Sequence, residues 1–294
     1  MKIGLGTAQL GLVYGIGNRL GQTPEAEVSP LLALAEAGGV AIVDTAAQYG
    51  DSESRLGRHL SPNSPLAIVT KTPAFDGPIT EAEADLLEAT FRRSLERLRR
   101  PRVHGLLLHG AGDTLHRPGA GLLVRRMRRL QEQGLVGKIG ASVYGGDDLE
   151  GVLERYSLEI VQLPVNLFDQ RLLAGAWPER FHARGVEVHA RSPFLQGILL
   201  MDPREVPASL APLGRHLERV IGELGERGLT PMVAALGFAC SLEWVTGVIC
   251  GVVNAAQLGE ILEAARHEVT PALLRRFAFP GDPLYLNPHR WSRL

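Results

Sequence analysis

Four side chains combine types and positions suited to moving a proton near neutral pH: Asp44, Tyr49, Lys71 and His109. Asp44 and Tyr49 lie five residues apart in DTAAQYGDSE; Lys71 ends the run LAIVTK and His109 ends VHGLLLH. A phenol normally titrates near ~10 and is a poor acid at neutral pH. A nearby ammonium favours the phenolate and lowers that pKa, and a hydrogen-bonded His can assist. A carboxylate paired to the Lys would hold the ammonium in place. The four together make a site able to donate a proton to a carbonyl oxygen. Each has a plainer reading alone. An Asp after a strand is usually a cap or turn residue, a lone His a satisfied core residue, and a Lys at a strand end a solvated one. Asp, Lys and His at the ends of three consecutive apolar runs favour the chemical reading.

Those runs are part of a larger alternation. KIGLG (2–6), VAIVD (40–44), LAIVTK (66–71), VHGLLLH (103–109), GKIGAS (137–142), EIVQLP (159–164), VEVHARS (186–192) and TGVICG (246–251) are each short enough for a strand buried on both faces. Amphipathic segments lie between them, at 29–39, 80–98, 122–134, 147–156, 171–185 and 255–265. The segment at 80–98 opens with Thr80 and Glu83, a capping-box spacing. The long gap from Arg191 to Gly251 has room for one extra helix near 208–227. Eight strand–helix units in one chain predict a single-domain (β/α)₈ barrel over 1–294, with an irregular tail from about 266. The competing fold is a doubly wound sheet, which usually carries GxGxxG after its first strand. Here that turn reads Gly4-Leu5-Gly6-Thr7-Ala8-Gln9 and lacks the third Gly. A parallel barrel gathers its strand ends, here Thr7, Asp44, Lys71, His109, Ser142, Gln162, Arg191 and Gly251, on the face where barrel active sites lie.

Composition narrows the class. The chain has 294 residues and is 45% apolar, enough for a large core. Lys and Arg number 31 and Asp and Glu 32, a balance unlike that of a nucleic-acid or membrane-surface binder. The N-terminus has no signal-peptide pattern and no stretch reaches the ~20 apolar residues of a membrane span, so a cytoplasmic protein is expected. Lys occurs only at 2, 71 and 138; the other 28 basic residues are Arg. Where Lys is the rare choice, it marks positions at which a point charge or a movable pKa matters. Cys240 and Cys250 read as buried apolar residues, and no HExxH or CxxC is present, so no metal is expected. The arginines at 125, 126, 128 and 129 read as a solvated helix face. Trp177, Trp244 and Trp291 are too scattered for a site, although Trp291 could border a substrate mouth.

The residues now carry a resemblance. GLGTAQLG (4–11), DTAAQYGDSESRLG (44–57), TK (70–71) and LLLHG (106–110) resemble the opening and catalytic segments of the aldo-keto reductases. The second is a specific match to the pattern D-T-A-x-x-Y-G-x-S-E-x-x-(I/L)-G. KIGAS, Gln162 and Asn166 in VQLPVN, RSPFLQG and GVVNAAQLGEI follow in family order, so the resemblance covers residues 2 to about 265. RSPFLQGILLMDP is most similar to bacterial members of undefined substrate, some associated with sugar metabolism.

The resemblance implies hydride transfer between a nicotinamide cofactor and a small carbonyl substrate. NADP is the family's usual cofactor and NAD an alternative. Tyr49 is then the general acid, Lys71 and Asp44 lower its pKa, and His109 orients the carbonyl and shares the proton transfer. Ser142 and Gln162 would bond the carboxamide. Gly6, Thr7 and Arg191 would border the cofactor, and Ser192, Leu195 and Gly197 its pyrophosphate. Gly251, Asn254, Gln257 and Glu260 would sit near the adenosine. Three positions depart from the family pattern. Ser142-Val143 replaces Ser-Asn, Arg191 replaces an aromatic that stacks on the nicotinamide, and Asn254 stands where a Lys or Arg meets the 2′-phosphate. Arg266 could reach back to that phosphate. Two other readings stay open: an aldolase-like barrel forming a Schiff base on Lys71, and a non-catalytic NAD(P)H sensor.

Overall fold

A computed structural model describes residues 2–293. Eight parallel strands close into a barrel in sequence order. They are β1 (Ile3–Gly6), β2 (Ile42–Asp44), β3 (Ala67–Lys71), β4 (Val103–Leu108), β5 (Val136–Ser142), β6 (Ile160–Pro164), β7 (Glu187–Arg191) and β8 (Gly247–Gly251). β1 pairs with both β2 and β8, Gly6 lying opposite Asp44 on one side and Gly251 on the other. The helices are α1 (Ala8–Gly11), α2 (Glu25–Ala37), α3 (Ser52–His59), α4 (Glu81–Leu98), α5 (Ala111–His116) and α6 (Ala120–Glu132). They continue with α7 (Gly146–Glu150), α8 (Trp177–Ala183), α9 (Ala211–Gly225), α10 (Pro231–Ser241), α11 (Ala255–Ala264) and α12 (Pro271–Arg275). α9 is the extra helix expected in the long gap.

Local chemistry sets several helix starts. Thr80 accepts from the Ala82 amide while Glu83 accepts from the Thr80 amide at 2.7 Å, so the capping box opens α4. Thr230 caps α10, which has Pro231 in its first turn. The helix expected over 171–185 is divided: a 3₁₀ turn at Arg171–Leu173 precedes α8, and Gly175 between them has φ +102°, which an α-helix does not admit. The helix expected over 147–156 is α7 followed by a π turn at Gly151–Arg155.

Two apolar layers hold the barrel. Inside, Ile42, Val69, Leu107, Ile160 and Ile249 form a plug. Outside, alternate strand residues such as Leu106, Leu108, Val188 and Ala190 join the larger core under the helices. Full burial of one such side chain contributes about 1.5–3 kcal/mol. Polar groups sit at both ends of the plug. At the lower end Glu187 accepts from Lys138 Nζ at 2.6 Å and lies 3.0 Å from His104 Nε2 and 2.7 Å from His189 Nε2. Lys2 donates to the Leu242 carbonyl at 2.6 Å. Lys2 and Lys138 thus tie the lower rim, and Lys71 belongs to the upper end.

Two of the surface arginines near 125–129 make ordinary contacts, Arg128 donating to the Tyr156 and Ser157 carbonyls. Arg126 pairs with Glu81, Asp85 and Glu88 of α4. The region after 266 carries α12 and 3₁₀ turns at Pro283–Leu286 and Pro288–Arg293. Trp291 is buried there and donates to the Tyr285 carbonyl at 2.9 Å. Its apolar ring anchors the tail back onto the barrel. Among the described residues, no helix is long and apolar enough to cross a membrane.

Candidate active site

The strand ends form the floor of a cleft of about 980 Å³. Lys71 Nζ donates to both Asp44 oxygens at 2.7 and 2.6 Å and to the Thr45 carbonyl at 2.9 Å. Its side chain is 1% exposed. Gln162 Nε2 donates to Asp44 Oδ1 at 2.7 Å. The ammonium therefore has its three N–H groups directed at three acceptors. Tyr49 lies above this floor, with Lys71 Nζ 5.0 Å from its ring centroid. His109 meets Tyr49 edge-on at 5.8 Å and 83°. The His109 amide donates to Thr72 Oγ1 at 3.2 Å, and the Thr72 amide to the Leu107 carbonyl at 2.9 Å, which stitches the ends of β3 and β4 together.

The loop carrying Tyr49 is held by buried hydroxyls and by two glycines. Ser52 Oγ donates to the Thr7 carbonyl at 2.9 Å and lies 3.1 Å from Thr45 Oγ1. Thr7 Oγ1 donates to the Asp44 carbonyl at 2.9 Å. Gly50 has φ +53°, and a Cβ on Gly11 would stand 1.8 Å from the Tyr49 carbonyl oxygen. Gly11→Ala must push this loop outward. A displacement near 1 Å can cost about a hundredfold in rate, and overpacking costs about 1–3 kcal/mol. Steady-state kinetics with a thermal melt check it: a variant with native kcat shows that the loop position does not matter.

Burial and the Asp44 carboxylate raise the Tyr49 pKa above the ordinary tyrosine value, and Arg191 works against them. The expected lowering by Lys71 is therefore not found. Its ammonium is matched by Asp44, and desolvation dominates. Burial lowers the Lys71 pKa, with the Asp44 charge opposing it. Burial, then the Lys71 and Arg191 charges, lowers that of His109 to about 4.

From Tyr49 the cleft runs to α11. Gly6, Thr7, Ser142, Gln162, Arg191, Ser192, Gly197, Gly251, Gln257 and Glu260 all line it, as do Asp44, Tyr49 and His109. Lys71, Leu195, Asn254 and Arg266 do not. Lys71 lies beneath the floor, and Leu195 is wholly buried. Asn254 is taken by capping, its Oδ1 accepting from the Gln257 amide at 2.9 Å, and Gln257 Oε1 accepts from the Val253 amide at 2.8 Å. Arg266 pairs with Glu263 at 3.0 Å.

Several lining residues carried no sequence signal. Tyr14 and Arg19 come from the loop after β1, Tyr144 from the loop after β5, and His289 from the tail. Gly17 donates its amide to the Gln196 carbonyl at 3.0 Å. β8 lies between β1 and β7 in the barrel, so this contact arches over the carboxyl end of β8. Ser192, Leu195 and Gln196 all have positive φ. Such left-handed conformations cost on the order of 1–3 kcal/mol each and persist where the surroundings impose them, often at ligand clamps. Asn166 helps impose them, its Nδ2 donating to the Ser192 carbonyl at 3.2 Å. A dinucleotide in this cleft would meet the arch, the polar groups beyond it and Gln9 Oε1, which is buried there without a hydrogen-bond partner.

A closed parallel barrel with its polar cleft at the carboxyl ends of the strands defines an α/β-barrel enzyme. The family model of the "Aldo/keto reductase family" matches residues 2–277. The chain therefore belongs to the aldo/keto reductases, a family of oxidoreductases. An aldo-keto reductase of Mycolicibacterium smegmatis is 29% identical over 148 residues, 48% of each chain. The match thus spans about half the length of that relative. Among solved structures, an aldo-keto reductase from Bacillus halodurans in a holo form superposes with a TM-score of 0.74 at 18% identity, over 94% of this chain and 90% of that one. A Pseudomonas aeruginosa protein assigned to the aldo-keto reductases gives 0.66 at 22% identity, over 90% and 89%. These likenesses establish the fold.

Proposed function

We propose that the protein is an NAD(P)H-dependent oxidoreductase that reduces an aldehyde, a ketone or a sugar carbonyl, or runs the reverse oxidation. The observation that carries this reading is the convergence of Tyr49, His109 and the Asp44–Lys71 pair at one end of a cleft that continues under an arch to α11. The nicotinamide, when bound, supplies the hydride. Tyr49 gives its phenolic proton to the carbonyl oxygen. His109, neutral above its low pKa, donates a hydrogen bond that orients that oxygen. Lys71 places a positive charge beneath the phenolate that Tyr49 becomes, and Asp44 fixes that charge. Ser142 lines the cleft to meet a carboxamide; Gln162 is shared with Asp44.

A Schiff base on Lys71 requires a neutral amine that substrate can reach. Its three acceptors and 1% exposure weigh against that. A pure sensor has no need of a proton donor at the mouth. A panel of aldehydes, ketoses and sugar lactols with NADPH and NADH, followed by cofactor absorbance, tests the proposal. Tight cofactor binding without turnover on any carbonyl would overturn it. Borohydride trapping of a covalent adduct on Lys71 would replace it with the aldolase reading.

For the cofactor we propose weak discrimination. The cleft residues around α11 are Val252, Val253, Gln257, Glu260 and Ile261, with no Lys or Arg among them. A charge-assisted contact to a 2′-phosphate is worth about 1.5–3 kcal/mol. The exposed start of α11 offers only about 0.3–1 kcal/mol, and Glu260 adds a like charge. The dissociation constants for NADPH and NADH are expected to differ by less than about a hundredfold, since 1.4 kcal/mol is a factor of ten. Titration of tryptophan fluorescence measures both. A preference for NADPH above about a thousandfold would mean that a basic residue elsewhere grips the phosphate.

A further inference from the structure

The inward face of β7 is ionisable along its whole length: Glu187, His189 and Arg191 alternate with Val188 and Ala190, which face the outer core. The two lower residues bond each other. Arg191, at the top, has no carboxylate partner among the described residues. Its Nη2 donates to the Val143 carbonyl at 3.0 Å, and its guanidinium lies 4.4 Å from the Tyr144 ring centroid. Its Nε is buried with no hydrogen-bond partner. Other arginines of this protein meet carboxylates, as Arg97 meets Glu53 and Arg180 meets Glu150 and Glu154.

We propose that Arg191 is a specificity-determining residue that anchors a carboxylate carried by the carbonyl substrate. The assignment rests on the reductase reading of the same cleft. Arg191 shares the wall of that cleft with Tyr49 and His109. The Asp44 charge is already matched by Lys71, so the floor leaves Arg191 as an uncompensated positive charge. An unpaired, partly buried cation is costly, and an anion placed beside it relieves that cost. The planar guanidinium presents parallel donors to the two oxygens of a carboxylate, a match that an ammonium cannot give. Its field also reaches Tyr14 and Tyr49, where it opposes the burial that raises both pKa values, and His109, where it adds to the burial that lowers it. Tyr144 stacks on His289 at 5.4 Å and 29°, which extends a flat wall beside the guanidinium for the organic part of the acid.

The alternative roles for Arg191 are the cofactor contact that the family resemblance implies and a clamp that only fixes the loop after β5 through Val143 and Tyr144. A matched pair of substrates separates the proposal from both: 4-carboxybenzaldehyde and its neutral methyl ester, assayed with saturating cofactor. The wild-type kcat/KM should favour the acid by about ten- to a hundredfold, the range of a hydrogen bond to a charged group. Arg191→Gln should bring that ratio close to one, chiefly through KM for the acid. Arg191→Lys should retain part of it. A wild-type ratio near one, or an unchanged ratio in Arg191→Gln, overturns the proposal whatever happens to the absolute rates. If neither aldehyde is turned over although cofactor binds, the reductase reading fails for these substrates. Calorimetric binding of the same pair then decides for Arg191, which requires that Arg191→Gln weaken binding of the acid selectively.

Discussion

Tyr49→Phe is expected to lower kcat by about 10²–10⁴-fold, the usual contribution of a positioned proton donor. The change removes one oxygen and leaves the ring against Lys71 and His109, so folding and cofactor affinity should survive. The pH dependence sharpens the test. The Tyr49 pKa stands above its ordinary value, so the phenol keeps its proton throughout the neutral range, as an acid in the reductive direction must. His109 charges only as pH falls toward about 4. Carbonyl reduction should therefore be flat in kcat from about pH 6 to 8, without the step near 6.5 of an ordinary His. Alcohol oxidation needs the phenolate and should keep rising with pH up to and past the ordinary tyrosine pKa. Near wild-type kcat in Tyr49→Phe on a good substrate would remove Tyr49 from the chemistry.

The floor of this site was legible in the sequence because each member ends an apolar run or follows one closely. Asp44, Lys71 and His109 occupy the carboxyl ends of consecutive barrel strands, and the parallel topology leaves those ends no other place to go. Tyr49 was legible through its place five residues after Asp44, in the segment that follows the second strand. The walls were not. Tyr14 sits in a loop whose course depends on the contact of Gly17 with Gln196, between segments about 180 residues apart, and Tyr144 in one held by Arg191 through the Val143 carbonyl. No periodicity records such a contact. His289 entered the cleft because Trp291 and Leu286 bury the tail, whereas the Pro- and Gly-rich composition of that tail gave no helical or strand period. At α11, a polar side chain at the right position could serve the backbone or a ligand. Asn254 serves the backbone, and spacing alone did not separate the two outcomes.

Lys71→Met should abolish measurable turnover and also weaken the fold. The ammonium is the central link of the floor, joining Asp44 and Thr45 of one strand end to its own. Removing it leaves the Asp44 carboxylate buried with Gln162 as its one donor among the described residues. Breaking a buried ion pair by deleting one partner typically costs about 3–5 kcal/mol, because the remaining charge is uncompensated. Two effects are then superposed, and Asp44→Asn with Lys71→Met separates them. With the stranded carboxylate gone, much of the stability should return, while turnover should not, because no cation lies beneath the Tyr49 phenolate. Lys71→Arg keeps the charge but should rescue activity poorly. The guanidinium is larger, its donors are fixed in a plane, and the side chain it replaces is almost wholly buried. Denaturant melts and single-turnover rates on the three variants distinguish these contributions. Full activity in Lys71→Arg would mean that any positive charge suffices, and that the point-like ammonium is not what this strand end was built to place.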